Sequence, residues 1–103
     1  MAGAETILFV SHKRALCGVY EFGRSVADAL QASRKFHVVF AECGGADDYH
    51  AAVAAHDPGA IIYNYHANTV PWIKRGLIGR HRGPHLGLMH EFTQRLLREN
   101  PLY

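Results

Sequence analysis

Four short apolar runs, each breaking off into a polar turn, set the rhythm of this chain. Ile7-Leu8-Phe9-Val10 ends in Ser11-His12, Val38-Val39-Phe40-Ala41 in Glu42-Cys43, Ile61-Ile62-Tyr63 in Asn64-Tyr65-His66, and Leu86-Gly87-Leu88-Met89 in His90-Glu91. The runs are apolar at consecutive positions, as expected of strands covered on both faces. The first strand is expected over Thr6 to Ser11, the second over Phe36 to Ala41 and the third over Ala60 to Tyr65.

Between the runs the period becomes helical. After Gly18, the residues Val19, Phe22, Val26 and Leu30 fall on one side and Glu21, Arg24, Asp28 and Gln31 on the other, which predicts an amphipathic helix burying the first set. Asp47 to His56 reads as an Ala-rich helix that ends near Asp57, because Pro58 disfavours helical backbone in the residue before it. Asn68 or Thr69 can cap a third helix that accepts Pro71 in its first turn and presents Trp72, Ile73, Leu77 and Ile78, until Gly79 and Gly83 stop it. From Glu91 a last helix is expected on Phe92, Leu96 and Leu97.

The alternation predicts a Rossmann-like α/β fold: an open parallel sheet of about four strands with helices on both faces. Each crossover is long enough for a right-handed βαβ unit, and the expected strand order is 3-2-1-4. All four polar turns then share the carboxyl edge of the sheet, where open α/β sheets bind ligands. His12, Gly18, His66 and His90 should line one cleft there, at a switch point between the first and fourth strands.

Length and charge narrow the classes. The 103 residues are read as a single domain, 1–103, and a formal charge of +2 with the 8 histidines neutral is no nucleic-acid signature. No apolar stretch approaches the ~20 residues of a membrane span, so any membrane contact is expected to be peripheral. With two cysteines and no leader-like start, the expected location is cytoplasmic, at most peripheral to the inner membrane face. A Cys17–Cys43 disulfide stays open at this point. The basic residues Lys74, Arg75, Arg80 and Arg82 read as a solvated face.

The turn from Ser11 to Gly18 is the best candidate for an anion site, because a glycine at a helix start lets backbone N–H groups approach a ligand. It lacks G-x-G-x-x-G, and no G-K-[ST] follows, so neither a tightly cradled dinucleotide nor a P-loop triphosphate is expected. Glu42 stands where a Rossmann acid would meet a ribose hydroxyl, a weak match without the glycines. The histidines form no H-x-x-x-H or H-E-x-x-H, and no C-x-x-C occurs, so neither a metal nor another cofactor is expected. His37, His50, His56 and His81 read as surface or loop residues. Cys17 has no base or partner cysteine visible in the sequence and reads as a small packing residue. A phospho-acceptor receiver would need clustered carboxylates at the first and third strand ends, where this chain has Ser11-His12 and Asn64-Tyr65-His66.

Taken together, Ile7-Leu8-Phe9-Val10-Ser11, Cys17-Gly18-Val19-Tyr20-Glu21-Phe22, Ile61-Ile62-Tyr63-Asn64-Tyr65-His66 and Leu88-Met89-His90-Glu91 resemble the N-terminal domain of GT-B glycosyltransferases of the retaining, family-4-like kind. The resemblance implies an acceptor-side lobe that faces a second lobe holding most of a nucleotide-sugar donor. It implies Gly18 and Val19 at the donor diphosphate, His90 at the reaction centre, and His12, Asn64, His66 and Glu91 toward a glycan or lipid-linked acceptor. The chain departs from the family where Cys17-Gly18 replaces paired glycines and Glu91 replaces an aspartate. Because the sequence stops at Tyr103, the expectation is a partial N-terminal domain of a hexosyltransferase, inactive alone. It would leave Leu88, Met89, Phe92 and Leu96 on an incompletely covered apolar surface prone to self-association. The alternative, from another class, is a stand-alone α/β binding or interaction module without catalysis, since α/β sheets host unrelated functions.

Overall fold

Seven elements follow one another in the computed structural model, which describes residues 5–15, 17–66, 69–81 and 83–89, with Arg75 and Met89 described by backbone alone. They are β1 (Glu5–Ser11), α1 (Gly18–Ala32), β2 (Phe36–Glu42), α2 (Ala46–His56), β3 (Ala60–Tyr65), α3 (Arg75–Ile78) and β4 (His85–Met89). The strands form one parallel, open, four-stranded sheet, the α/β class that the alternating pattern predicts.

The strand order is β2-β1-β3-β4, which corrects the expected 3-2-1-4. β3 pairs with β1, with Phe9 opposite Ile62, and β4 pairs with β3, with Leu86 opposite Ile62. Burial gives the physical reason. β1 is buried continuously from Ile7 to Ser11, and in β3 only Ala60 and Ile62 keep partial exposure, so both strands need neighbours on each side. β2 carries His37 and Glu42 to solvent and suits an edge. On that edge the Val38 N–H donates to Gln31 Oε1 at 2.9 Å, and the Arg24 guanidinium lies 4.6 Å from the Phe40 ring centroid.

From β1 the chain travels one way to β2, then returns past β1 to β3. Crossovers of the same hand that travel in opposite directions put their helices on opposite faces of the sheet. On one face α1 meets Ser11 and Asn64 with Phe9 and Phe40 stacked nearby, their ring centroids 5.7 Å apart. On the other, Leu8, Val10, Ile61 and Tyr63 form a core with Tyr49, joined by Ala52 and Val53 of α2 and by Val70, Ile73, Leu77 and Ile78.

Two helices differ from the sequence pattern. The buried residues of α1 are Tyr20, Gly23 and Ala27, whereas Phe22 is half exposed and Val19, Val26 and Leu30 are only partly buried. The reason is Gly23: a Cβ there would collide with the Asn64 side chain, so the bare backbone is what lets α1 close on β3. The third helix shrinks to the single turn Arg75–Ile78, with Pro71 and Trp72 in a preceding turn. Val70 precedes a proline and is biased away from helical backbone, so no helix runs through it. α2 ends as expected, at Asp57, which takes a left-handed conformation with φ 42°. On β4, Leu86 is exposed and Leu88 half-buried; the side chain of Met89, and Phe92, Leu96 and the helix expected from Glu91, lie outside the described residues.

Candidate functional site

The observed order moves the switch point. The chain leaves β1 for β2 on one side and reaches β3 on the other, so the switch point at the carboxyl edge, where such sheets bind ligands, lies between β1 and β3, not between β1 and a fourth strand. β1 ends there at Ser11, and α1 starts at Gly18.

Asn64 fixes this entrance. Its side chain is wholly buried, and its amide donates to Ser11 Oγ at 3.1 Å and to the Val19 carbonyl at 2.9 Å, tying β3 to β1 and to the first turn of α1. With both amide hydrogens committed to the protein, Asn64 positions the site. Glu42, at the end of β2, clamps the loop from the other side. Its Oε1 accepts the Arg14 N–H at 2.7 Å and its Oε2 accepts the Tyr20 hydroxyl at 3.1 Å. The weak match to a ribose-binding acid thus gives way to a structural role for this carboxylate.

The first turn of α1 lies open. A Cβ added at Gly18 would meet nothing within 4 Å, and the leading amides of a helix have no acceptor within it. Those of Gly18 and Val19 therefore offer N–H groups to an anion, in the positive field of a 15-residue helix. Cys17 is the N-cap, its Sγ accepting the Tyr20 N–H at 3.4 Å. His12 sits behind it with 8% of its surface exposed. Its Nε2 is 3.4 Å from Cys17 Sγ, and its ring makes a T-shaped contact with that of Tyr20, centroids 5.7 Å apart. His12 Nδ1 has no hydrogen-bond partner among the described residues. Burial lowers the proton affinity of His12 below the usual histidine range; the charge of Glu42 opposes this and that of His66 adds to it.

The structure therefore gathers His12, Gly18, Val19 and Asn64 at the β1/β3 switch point, with His66, the residue after β3, near enough to act on His12. His90 and Glu91 lie outside the described residues; they follow Met89, which pairs with Tyr65. Sequence reasoning missed Cys17 as a partner of His12, because a five-residue separation through a loop carries no periodic signal. Ser11, Tyr20 and Glu42 were also invisible as a support frame, each being tied to the site by long-range contacts.

A second polar cluster lies toward the opposite edge. The Tyr49 and Tyr63 hydroxyls are 2.8 Å apart, and Tyr63 Oη is 2.8 Å from His85 Nδ1. His85 Nε2 donates to the His81 carbonyl at 2.9 Å. A carbonyl can only accept, so a neutral His85 carries its proton on Nε2, Tyr63 donates to Nδ1, and Tyr49 donates to Tyr63. His50 Nδ1 and His81 Nε2 are 3.0 Å apart, a pairing that the reading of both as surface or loop residues did not include. Burial and the neighbouring His50, His85 and Arg80 lower the proton affinity of His81. Beside it, Val53, Asp57, Pro58, Ile61, Arg80 and His81 line a depression of about 250 Å³. Among the described residues no three His, Cys, Asp or Glu side chains converge as a metal site, and no described helix is long and apolar enough to cross a membrane. Cys17 and Cys43 are free thiols.

Compared with known proteins, the chain matches no family model, no curated protein and no solved structure.

Proposed function

We propose that this domain is the N-terminal, acceptor-side portion of a glycosyltransferase that moves a hexose from a nucleotide sugar to a glycan or lipid-linked acceptor. The observation that carries the reading is the open N-terminus of α1 at the β1/β3 switch point, with the buried imidazole of His12 behind it. Sugar transfer leaves negative charge on a diphosphate, and free amides at a helix start stabilise such charge without having to reorganise. In this reading Gly18 and Val19 meet the donor diphosphate, His66 meets acceptor hydroxyls, and Asn64 with the buried His12 behind Cys17 holds the entrance in register. His90 and Glu91, by the family resemblance, serve the reaction centre. A second lobe shares the donor, so this domain alone makes only part of the contacts that offset the cost of immobilising it.

Calorimetry with UDP-, GDP- and dTDP-sugars tests the proposal. Binding in the millimolar range is expected, abolished by Gly18→Glu, whose carboxylate would occupy the anion position, and unchanged by Gly45→Glu before α2. No saturable heat up to about 10 mM, a range that reaches binding worth only ~3 kcal/mol, would overturn it. So would binding that Gly18→Glu leaves intact.

A further inference from the structure

We propose that Cys17 is a thiol reactive toward hydroperoxides, with His12 as the base that takes its proton. Three observations on different elements converge on this sulfur. It caps α1, so charge developing on Sγ meets the Tyr20 N–H at 3.4 Å and the positive end of the helix. It is only partly buried, so a small oxidant reaches it. And His12 Nε2 lies 3.4 Å away, on a ring with 8% of its surface exposed.

The burial of His12 is the independent pointer to chemistry. Its Nδ1 has no partner among the described residues, a cost that an apolar ring of the same size would avoid. A buried imidazole that fills space at a loss, and whose other nitrogen faces a thiol, is explained by what that nitrogen does. The groups facing it are Glu42 from β2, His66 from the turn after β3 and Tyr20 from α1. Burial outweighs Glu42 and keeps the ring in the neutral, proton-accepting form at neutral pH. Cys43 provides the contrast within the same chain: it is buried, and its thiol is pushed up to about 11.

In the reaction the Cys17 S–H proton passes to His12 Nε2 as sulfur attacks the terminal oxygen of the hydroperoxide. The S–O bond forms and the O–O bond breaks. The proton then leaves His12 with the departing oxygen, as water from hydrogen peroxide or as an alcohol from an organic hydroperoxide. Sulfur is oxidised by two electrons to the sulfenic acid, and the peroxide is reduced by two. The product places oxygen beside the Gly18 and Val19 amides, so oxidation would obstruct an anionic ligand there, whatever that ligand is. The reactivity itself does not depend on the glycosyltransferase reading.

Timed iodoacetamide labelling followed by peptide mass spectrometry tests the pair, with dimedone capture after hydrogen peroxide as the redox arm. Expected are rapid labelling of Cys17 at pH 7, about tenfold or more above a free-cysteine peptide, protection of Cys43, and a dimedone adduct on Cys17 alone. His12→Gln, with its fold checked by circular dichroism, should bring the Cys17 rate down to that of the peptide. If that variant fails to fold, the wild-type pH profile decides. A rate that levels off by about pH 7 supports the imidazole base, and one that climbs through about pH 8.5 like an ordinary thiol overturns it. Cys17 labelling no faster than the peptide, or unchanged in folded His12→Gln, also overturns the proposal.

Discussion

Burial keeps two histidines neutral on opposite sides of the sheet, and the sign of their effect on stability follows from linkage. His12 and His81 both bind protons less readily in the folded chain than at their unperturbed 6.5. The unfolded state therefore holds more protons as the pH falls below that value. Their contribution is complete above about pH 6.5 and is lost progressively on acidification toward the lower folded-state values. The urea midpoint should be level from about pH 8 to 7 and decline toward pH 5, with His12→Gln and His81→Gln each removing part of the decline. A midpoint that rises in acid would contradict the lowered proton affinity of these rings. Gly23 is a second single-residue lever. An added methyl collides with Asn64, which holds β3 to β1 and α1, so Gly23→Ala should cost about 1–3 kcal/mol although alanine favours helix by ~1 kcal/mol. Chemical denaturation checks this, and a stabilised variant would mean that the approach of α1 to β3 is looser than described.

The elements divide into those written locally and those fixed at long range. β3 runs from Ala60 to Tyr65 as the apolar pattern predicts, and α2 stops at Asp57 ahead of Pro58, because burial on both faces and proline sterics are local signals. Strand order was not legible. Whether β3 pairs with β1 or β2 depends on which strands need two neighbours, and that emerges from the exposure of His37 and Glu42 in β2. The buried face of α1 was misread for a related reason: a hydrophobicity pattern counts Phe22 and ignores Gly23, yet Gly23 is buried against Asn64 with no room for a Cβ. The cluster of Tyr49, Tyr63 and His85 joins α2, β3 and β4 and left no trace in sequence spacing. Tyr63→Phe strands the Tyr49 hydroxyl in a fully buried position and leaves His85 Nδ1 without its donor, so a loss of about 1–3 kcal/mol is expected in denaturant melts. A neutral outcome would show that this hydrogen-bond chain is not formed in solution.

At the scale of the whole molecule, the sheet order and the candidate site are one argument, since the reversal between β1 and β3 sets the switch point beside the start of α1. The sequence placed the first three polar turns on the correct edge but set the switch point beside the wrong strand; Gly18 and His12 remain at it because both belong to the β1 side. The most direct test of the account is an amide-resolved NMR titration of the folded domain with a nucleotide sugar. Saturable shifts in the millimolar range are predicted at Ser11 to Val19 and at Asn64 to His66, with the amides of α2 and the depression around Val53 and His81 unmoved. Shifts confined to that depression, or none at the start of α1, would contradict a ligand site at the β1/β3 switch point.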